Sequence, residues 1–396
     1  MIAVAPVCFC PVTGRYWRGR RSMKLGNLWR HLAVAVVGVF VVAACGSSNS
    51  SGSASCSEST AKTATSATAC GGMDALVAAA KSEGRLNVIA LPRDWANYGA
   101  ILDKFTATYG IKITSDNPDG SSQDEVNAVQ QLGTTSRAPD VLDIGIAVAL
   151  ANVNLFAPYK VSTWADILDS QKESTGLWFE DYGGFMSVGY DSSKVPTITN
   201  FDDLLGSAFK GKVALNGDPT KANAALNGVM MANLAEGGSL DDISKGVDFF
   251  HRLKQAGNFT PVQATTATVK NGTTPVVLDW DYLSAAHGTD VPTWKVFVPN
   301  NAILGGYYAQ AINKNAPHPA AARLWEEFLY SNTGQNLWLA GLARPVRQAA
   351  MTKDGSIDAA AAAKLPPVNG TPVFLSDAQA TAAKNYLVAH WLTAIS

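Results

Sequence analysis

The stretch Arg85–Asn117, RLNVIALPRDWANYGAILDKFTATYGIKITSDN, reads as strand, helix, strand. RLNVIALP and IKITSDN are short apolar runs, and between them DWANYGAILDKFTATYG carries apolar residues at helical spacing up to a glycine stop. Strands separated by a helix pair in parallel through a right-handed crossover. The alternation extends outward. Upstream lies the helical MDALVAAAKSEG from Met73; downstream lie the helical SSQDEVNAVQQLG and the strand DVLDIGI. A second series follows FMSVGYDSSKV: helix NFDDLLGSAF, strand KVALNGD, the helical TKANAALNGVMMANLAEGG and SLDDISKGVDFFHRLKQAG, and the strands TPVVLDW and WKVFVP. YYAQAINK then precedes an amphipathic PHPAAARLWEEFLYSNTGQNLWLAGLARPV. No internal repeat is visible, and the 324 residues from Met73 onward suit two α/β domains at about 150 residues each.

The N-terminus reads differently. From Met23, basic Lys24 and Arg30 precede a charge-free apolar run of 13 residues, Leu32 to Ala44, and then Cys45. That is a secretory signal in residues 1–44, and the run is short of the roughly 20 residues a spanning helix needs. Met23 alone supplies a complete signal, so translation could start there. Val42 to Cys45, VAAC, resembles the lipobox of bacterial lipoproteins, which implies acylation of Cys45 as the first mature residue. Residues 45–72 are dominated by Ser, Thr, Ala and Gly and read as a flexible tether.

Removing residues 1–44 takes six of the 31 basic residues and none of the 32 acidic ones, leaving a net charge of −7. An acidic chain is a poor partner for nucleic acid and a mild match for cationic small ligands. With Cys8 and Cys10 lost and Cys45 lipidated, Cys56 and Cys70 are an even pair outside the cytosol and are expected to form a disulfide.

The order lipobox, tether, LNVIALPRDWANYGAILDKFTATYGIKI, PDVLDIG, VGYDSSKVP, FKGKVALNGDP and AINKNAPHPAAARLWEEFLYSNTGQ resembles the solute-binding proteins of bacterial ABC importers. Among these it is similar to the branch that includes polyamine, thiamine, ferric-iron and phosphonate binders. The resemblance implies a two-lobed α/β periplasmic-binding-protein fold of type II, with ligand held between the lobes by hinge closure. Lobe 1 would comprise 73–190 plus 305–396 and lobe 2 would comprise 191–304, with an ABC permease as partner, a lipid anchor in the membrane and a monomeric state.

Enzyme signatures are absent: no Gly-x-Ser-x-Gly elbow, no phosphate loop and no His-Glu-x-x-His occurs. His251, His287, His318 and His390 are widely separated, so neither a metal site nor a cofactor is expected. An extracytoplasmic α/β hydrolase is the alternative from another class.

In open α/β sheets ligands lie beyond the carboxyl ends of strands. After the first strand come Asp94, Trp95 and Tyr98, a counter-charge with two flat walls, although Asp94 could instead cap a helix. Ser121 and Ser122 open the next helix, where Ser122 and Glu125 fit a capping box and the amides could still meet an anion. Asp143 ends DVLDIGI. Asn216 ends VALN, while Asp218 with Pro219 fits an N-cap and first helical position. Asp279, Trp280, Asp281 and Tyr282 form the turn after TPVVL, two acids and two aromatics that would trap an ammonium, unless one Asp caps the helix or pairs with a base. Of the adjacent Tyr307 and Tyr308 only one can face the cleft from a strand. We take that residue to be Tyr307, as a stacking wall. The expected ligand is a small organic cation, foremost a polyamine, with thiamine, 2-aminoethylphosphonate and ferric iron as alternatives.

Overall fold

The computed structural model describes residues 55–396; the expected signal, the Met23 start and Cys45 lie outside the described residues. The chain opens with α1 (Glu58–Thr63) and α2 (Met73–Glu83). It then runs through β1 (Arg85–Ile89), α3 (Tyr98–Tyr109), β2 (Lys112–Asp116), α4 (Ser122–Leu132), β3 (Val141–Gly145), α5 (Ile146–Ala151), β4 (Phe156–Ala157) and the long β5 (Phe179–Asp191). The second series is β6 (Val213–Leu215), α6 (Asn223–Ala235), α7 (Ser244–Gln255), α8 (Thr266–Lys270), β7 (Val276–Trp280), α9 (Asp281–His287) and β8 (Trp294–Phe297). Last come β9 (Leu304–Asn313), α10 (Pro319–Leu329), α11 (Asn332–Ala340), β10 (Arg344–Pro345), α12 (Gln348–Asp354), α13 (Ala359–Ala362), β11 (Val373–Phe374) and α14 (Asp377–Ala394).

β1 and β2 pair in parallel, Arg85 opposite Lys112 through Ile89 opposite Asp116, with α3 as the crossover. α3 buries Ile101, Leu102 and Phe105 on one stripe and stops at Gly110, whose φ of 73° is open to glycine at little cost. β6 and β7 are also parallel. The larger sheet, however, is mixed rather than parallel: β3, β4 and β5 run antiparallel to β9, and β5 runs antiparallel to β7 and β8. The reason is topological. β5 leads into the second series and β9 returns from it, so single-helix crossovers do not set their direction.

β5 serves both halves of that sheet. Its residues Phe179 to Phe185 pair with β9, and Met186 to Asp191 pair with β7 and β8. At the changeover Gly184 lets the start of α9 lie directly on the strand: a Cβ there would sit 2.4 Å from Asp281 Oδ1 and 2.6 Å from the Tyr282 ring.

Two readings of the sequence are corrected here. Residues 55–72, placed in the tether, are folded: α1 and a 3₁₀ turn over Thr68–Cys70 are stapled by the Cys56–Cys70 disulfide. Arg323 holds this segment down, donating from Nε to Ala64 O at 2.7 Å and from Nη2 to Lys62 O at 3.0 Å. The alanines that made the segment look coreless are what pack, with Ala61 fully buried. For the same reason the polar face of the amphipathic α10 does not meet water. All its residues are buried, Arg323, Glu326 and Glu327 included, because the folded segment and α2 cover the face that would otherwise meet water.

α14 packs away from α10–α13. Its Trp391 sits on Phe250 and Phe259, with ring centroids 5.2 and 5.9 Å apart, and its Lys384 reaches Gln123 of α4. The end of the span 305–396 therefore touches helices of both series.

Candidate functional site

Strand ends and helix starts from both series face one another across a cleft of about 470 Å³. One wall is Pro92, Asp94 and Trp95 after β1, the turn Pro118–Ser121 with the start of α4, Asp143 on β3 and Tyr308 on β9. The other wall is Asn216 to Ala224 between β6 and α6, Gln263 to Ala267 entering α8, Asp279 on β7, and Leu283 and His287 on α9.

Asp143 lies at the floor, 7% exposed. Tyr98 and Tyr182 both donate their hydroxyls to its Oδ2, at 2.6 and 3.0 Å, while Oδ1 has no partner. Burial pushes this carboxyl up to about 7, against the pull of the two hydroxyls. Trp95 donates from Nε1 to Tyr182 Oη at 2.7 Å and meets the Tyr308 ring edge to face at 5.8 Å, so the aromatic wall is locked to the same hydroxyls that hold the acid. Behind them Tyr182 stacks on Trp338 at 4.2 Å and on Tyr308 at 5.6 Å. Asp279, across the cleft, accepts from Asn216 Nδ2 at 2.9 Å and from the Trp280 amide at 2.8 Å; burial raises it to about 7 as well.

The residues singled out in the sequence divide into three groups. Asp94, Trp95, Ser121, Ser122, Asp143, Asn216 and Asp279 all line the cleft. Asp94 is no cap, since α3 begins at Tyr98 behind Asn97. The capping box of α4 belongs to Ser121 and Asp124 rather than Ser122 and Glu125, because the helix starts one residue earlier than the pattern suggested. Ser122 Oγ instead accepts from the Gly145 amide, and Glu125 turns inward to accept from the Asp143 amide at 2.9 Å. Asp218 is likewise no helix cap: it closes a turn onto Thr220, and α6 starts at Asn223.

Tyr98, Trp280, Asp281 and Tyr282 do not line the cleft. Tyr98 is fully buried and positions Asp143 from behind. β7 extends through Trp280, so alternation sends Asp279 to the cleft and Trp280 into the core, where its Nε1 faces Tyr308 Oη at 3.4 Å. Asp281 is neutralised: Oδ2 accepts from Arg344 Nη1 at 2.8 Å and Oδ1 from the Phe185 amide at 2.9 Å. Tyr282 is buried and stacks with Trp280.

Of the tyrosine pair the cleft takes Tyr308, not Tyr307. Tyr308 stands opposite Gly145 of β3 on the cleft face, and Tyr307 turns to stack on Phe374 of β11. The sequence argument for one tyrosine was sound, but alternation alone cannot say which; only the pairing partner does. Tyr182 was missed for a similar reason, lying in the middle of β5 rather than at a strand end. Among the described residues no group of three or more His, Cys, Asp or Glu is arranged to hold a metal ion.

Among known proteins, a family described as bacterial extracellular solute-binding protein matches residues 139–364, more than half of the chain. No curated protein matches. Solved structures show the α/β periplasmic-binding-protein fold. The periplasmic binding protein AfuA from Actinobacillus pleuropneumoniae, with exogenous fructose-6-phosphate bound, aligns with a TM-score of 0.60 at 15% identity over 78% of this chain and 98% of that one. Iron-bound HitA from Pseudomonas aeruginosa aligns with a TM-score of 0.56 at 20% identity, over 77% and 97%. A putative spermidine/putrescine ABC transporter protein from Listeria monocytogenes gives 0.56 at 13% identity, over 78% and 99%. At these identities the likeness is one of fold, and the three differ in what they are named for binding.

Proposed function

The chain belongs to the bacterial extracellular solute-binding proteins, a binding family rather than an enzyme family, and on that premise we propose that it captures a small organic cation, foremost a polyamine such as putrescine or spermidine, for an ABC permease. The observation that carries this reading is Asp143: a buried carboxylate at the cleft floor whose Oδ1 has no partner. An unpaired buried oxygen asks for a donor, and a charged donor contributes about 1.5–3 kcal/mol there. Asp279 offers a second acid on the opposite wall, and Trp95 and Tyr308 offer ring surface for methylenes and ammonium, worth roughly 0.5–2 kcal/mol per contact. Four further carboxylates, Asp94, Asp119, Asp124 and Asp218, line the cleft against a single lysine, Lys221. The field inside therefore favours cations.

In this reading lobe 1 (73–190 with 305–396) and lobe 2 (191–304) close around the ligand, which stabilises the closed form because it touches both. The mature protein is a monomer anchored through lipid on Cys45. A second reading has one supporting observation: α6 starts in the cleft behind Ala222, with no side chain capping its first amides, and Lys221 is adjacent. That arrangement suits the anionic end of an aminophosphonate or a thiamine phosphate. A ferric site is less well served, since Tyr307 points away from the cleft.

The test is a thermal-shift panel with putrescine, spermidine, thiamine, 2-aminoethylphosphonate, ferric citrate and sugars. A ligand at about 100 times its Kd stabilises by roughly 2.7 kcal/mol. Stabilisation by the amines supports the reading; stabilisation by ferric citrate or a sugar alone rejects it.

A further inference from the structure

Asp143 is one of four buried carboxyls that converge without a base among them. α4 contributes Glu125, whose Oε2 accepts from the Asp143 amide; β5 contributes Asp181, linked back through Gln310, which donates to both Asp181 Oδ2 and Tyr98 Oη. α10 contributes Glu326, fully buried with neither oxygen partnered. Among the described residues none of the four is paired with Lys, Arg or His. The other titratable groups facing Asp143 are hydroxyls, Tyr98 from α3, Tyr182 from β5 and Tyr308 from β9, with Asp279, Tyr282 and, at the end of α10, Tyr330 beyond them.

We propose that Asp143 carries an exchangeable proton in the empty protein and that an ammonium docking on its free oxygen expels that proton to solvent. The proposal rests on the cation reading of the cleft. Four like charges cannot share one dry region, so the cluster holds protons at neutral pH. Glu125, Asp181 and Glu326 keep theirs most strongly. They are further from water, and burial drives all three well above the usual carboxylate range. Asp143 alone combines two hydroxyl donors with contact to the cleft, and burial raises it only to about 7. The step balances: carboxylic acid plus ammonium gives a carboxylate–ammonium pair plus one proton, which goes to buffer. Capture therefore weakens about tenfold for each pH unit below the carboxyl's midpoint and levels off above it. Asp279 differs in that both its oxygens already accept from N–H groups; burial raises it to about 7 too, so any proton it gives up persists in Asp143→Asn and the share of Asp143 is the difference between the two proteins.

Calorimetric titration of the mature protein with putrescine, in buffers of differing protonation enthalpy, counts the protons. Near pH 6 the wild type should release close to one proton per ligand more than Asp143→Asn, an excess falling toward zero above about pH 8. Asp143→Asn, titrated at putrescine concentrations raised to saturate it, should release only what Asp279 gives up. Glu326→Gln should leave the count unchanged because Glu326 is already neutral. A zero count in the wild type, a release as large in Asp143→Asn as in the wild type, or a count that drops in Glu326→Gln would each overturn the proposal. If no amine binds, the cation reading fails, and carbon NMR of aspartate carboxyls in the ligand-free protein still decides this one. One carboxyl lost in Asp143→Asn should titrate near neutral pH; finding it ionised down to about pH 5 would refute the assignment.

Discussion

Asp281 and Arg344 face each other at 2.8 Å where β5 changes partners, with the same carboxylate accepting from the Phe185 amide. Asp281 is fully buried and Arg344, its side chain 12% exposed, also lies over the Phe185 ring at 4.4 Å. Breaking a buried pair by removing one member strands the other charge, at about 3–5 kcal/mol. Asp281→Ala should lower chemical-denaturation stability by that order, while amine affinity at a temperature where the variant is folded stays within a few-fold. An affinity collapse with unchanged stability would place Asp281 in the ligand shell instead.

Asp279 is expected to behave in the opposite way. Its carboxylate lines the cleft, so Asp279→Asn should weaken a dication by about 1.5–3 kcal/mol, roughly 10- to 150-fold, and alter stability little. Calorimetry against putrescine and a neutral sugar separates a charge effect from a general loss of the cleft.

Gly145 ends β3 directly against Asn223 at the start of α6: a Cβ there would stand 2.4 Å from Asn223 Cβ. Asn223 lines the cleft, and Gly145 ends the strand that carries Asp143 on the opposite wall. Gly145→Val should hold those walls apart, and an overpacking cost of about 1–3 kcal/mol translates to a 5- to 150-fold loss of ligand affinity. Melting of the ligand-free protein should move little, because the contact joins walls rather than filling a core. Unchanged affinity would show that this seam does not have to form for capture.

Buried acids held neutral also shape the pH dependence of stability. Burial raises Glu326 well above the ordinary carboxylate value in the folded protein. From about pH 4 upward the unfolded chain ionises at this position while the folded one keeps its proton, so unfolding becomes easier as pH rises until the folded carboxyl's own raised value is reached. Glu326→Gln should remove this contribution. The variant should therefore gain stability over the wild type at about pH 7.5 and lose that gain near pH 4, read from denaturant midpoints. A variant less stable at both pH values would mean that the carboxyl is ionised or structurally required.

The clamp on the N-terminal segment makes a separate prediction. A disulfide closing about 15 residues stabilises by roughly 3 kcal/mol when the loop it closes is ordered, and Arg323 orders it. Arg323→Met should speed hydrogen exchange in residues 55–70 and leave β5 and β9 protected. Loss of protection throughout would mean that the segment is part of the main cooperative unit.

How much of this was legible in the sequence depends on register. The strand-end rule found Asp94, Asp143, Asn216 and Asp279, because a parallel crossover must end its strands at one edge. It failed from Trp280 to Tyr282 because β7 ran two residues further than the apolar run TPVVL suggested, through Trp280, so Asp279 and Trp280 alternate on a strand and cannot both face the cleft. The same limit hid Tyr308 behind Tyr307. Glu125 was read as a capping residue, although only the packing of α4 on β3 turns it toward the Asp143 amide. The fold of residues 55–72 was hidden by composition: alanines read as linker until a partner helix covers them, and the partner is more than 250 residues away in the chain.

The central claim is that a buried carboxylate with a free oxygen anchors a positively charged solute. Equilibrium titration of the mature wild-type protein and of Asp143→Asn with putrescine and spermidine at neutral pH tests it most directly. The account predicts saturable binding of an amine that falls at least about tenfold in the variant, in keeping with the loss of a charge-assisted hydrogen bond. Binding of a neutral sugar or of ferric iron, with the amines inert and Asp143→Asn indistinguishable from wild type, would contradict it.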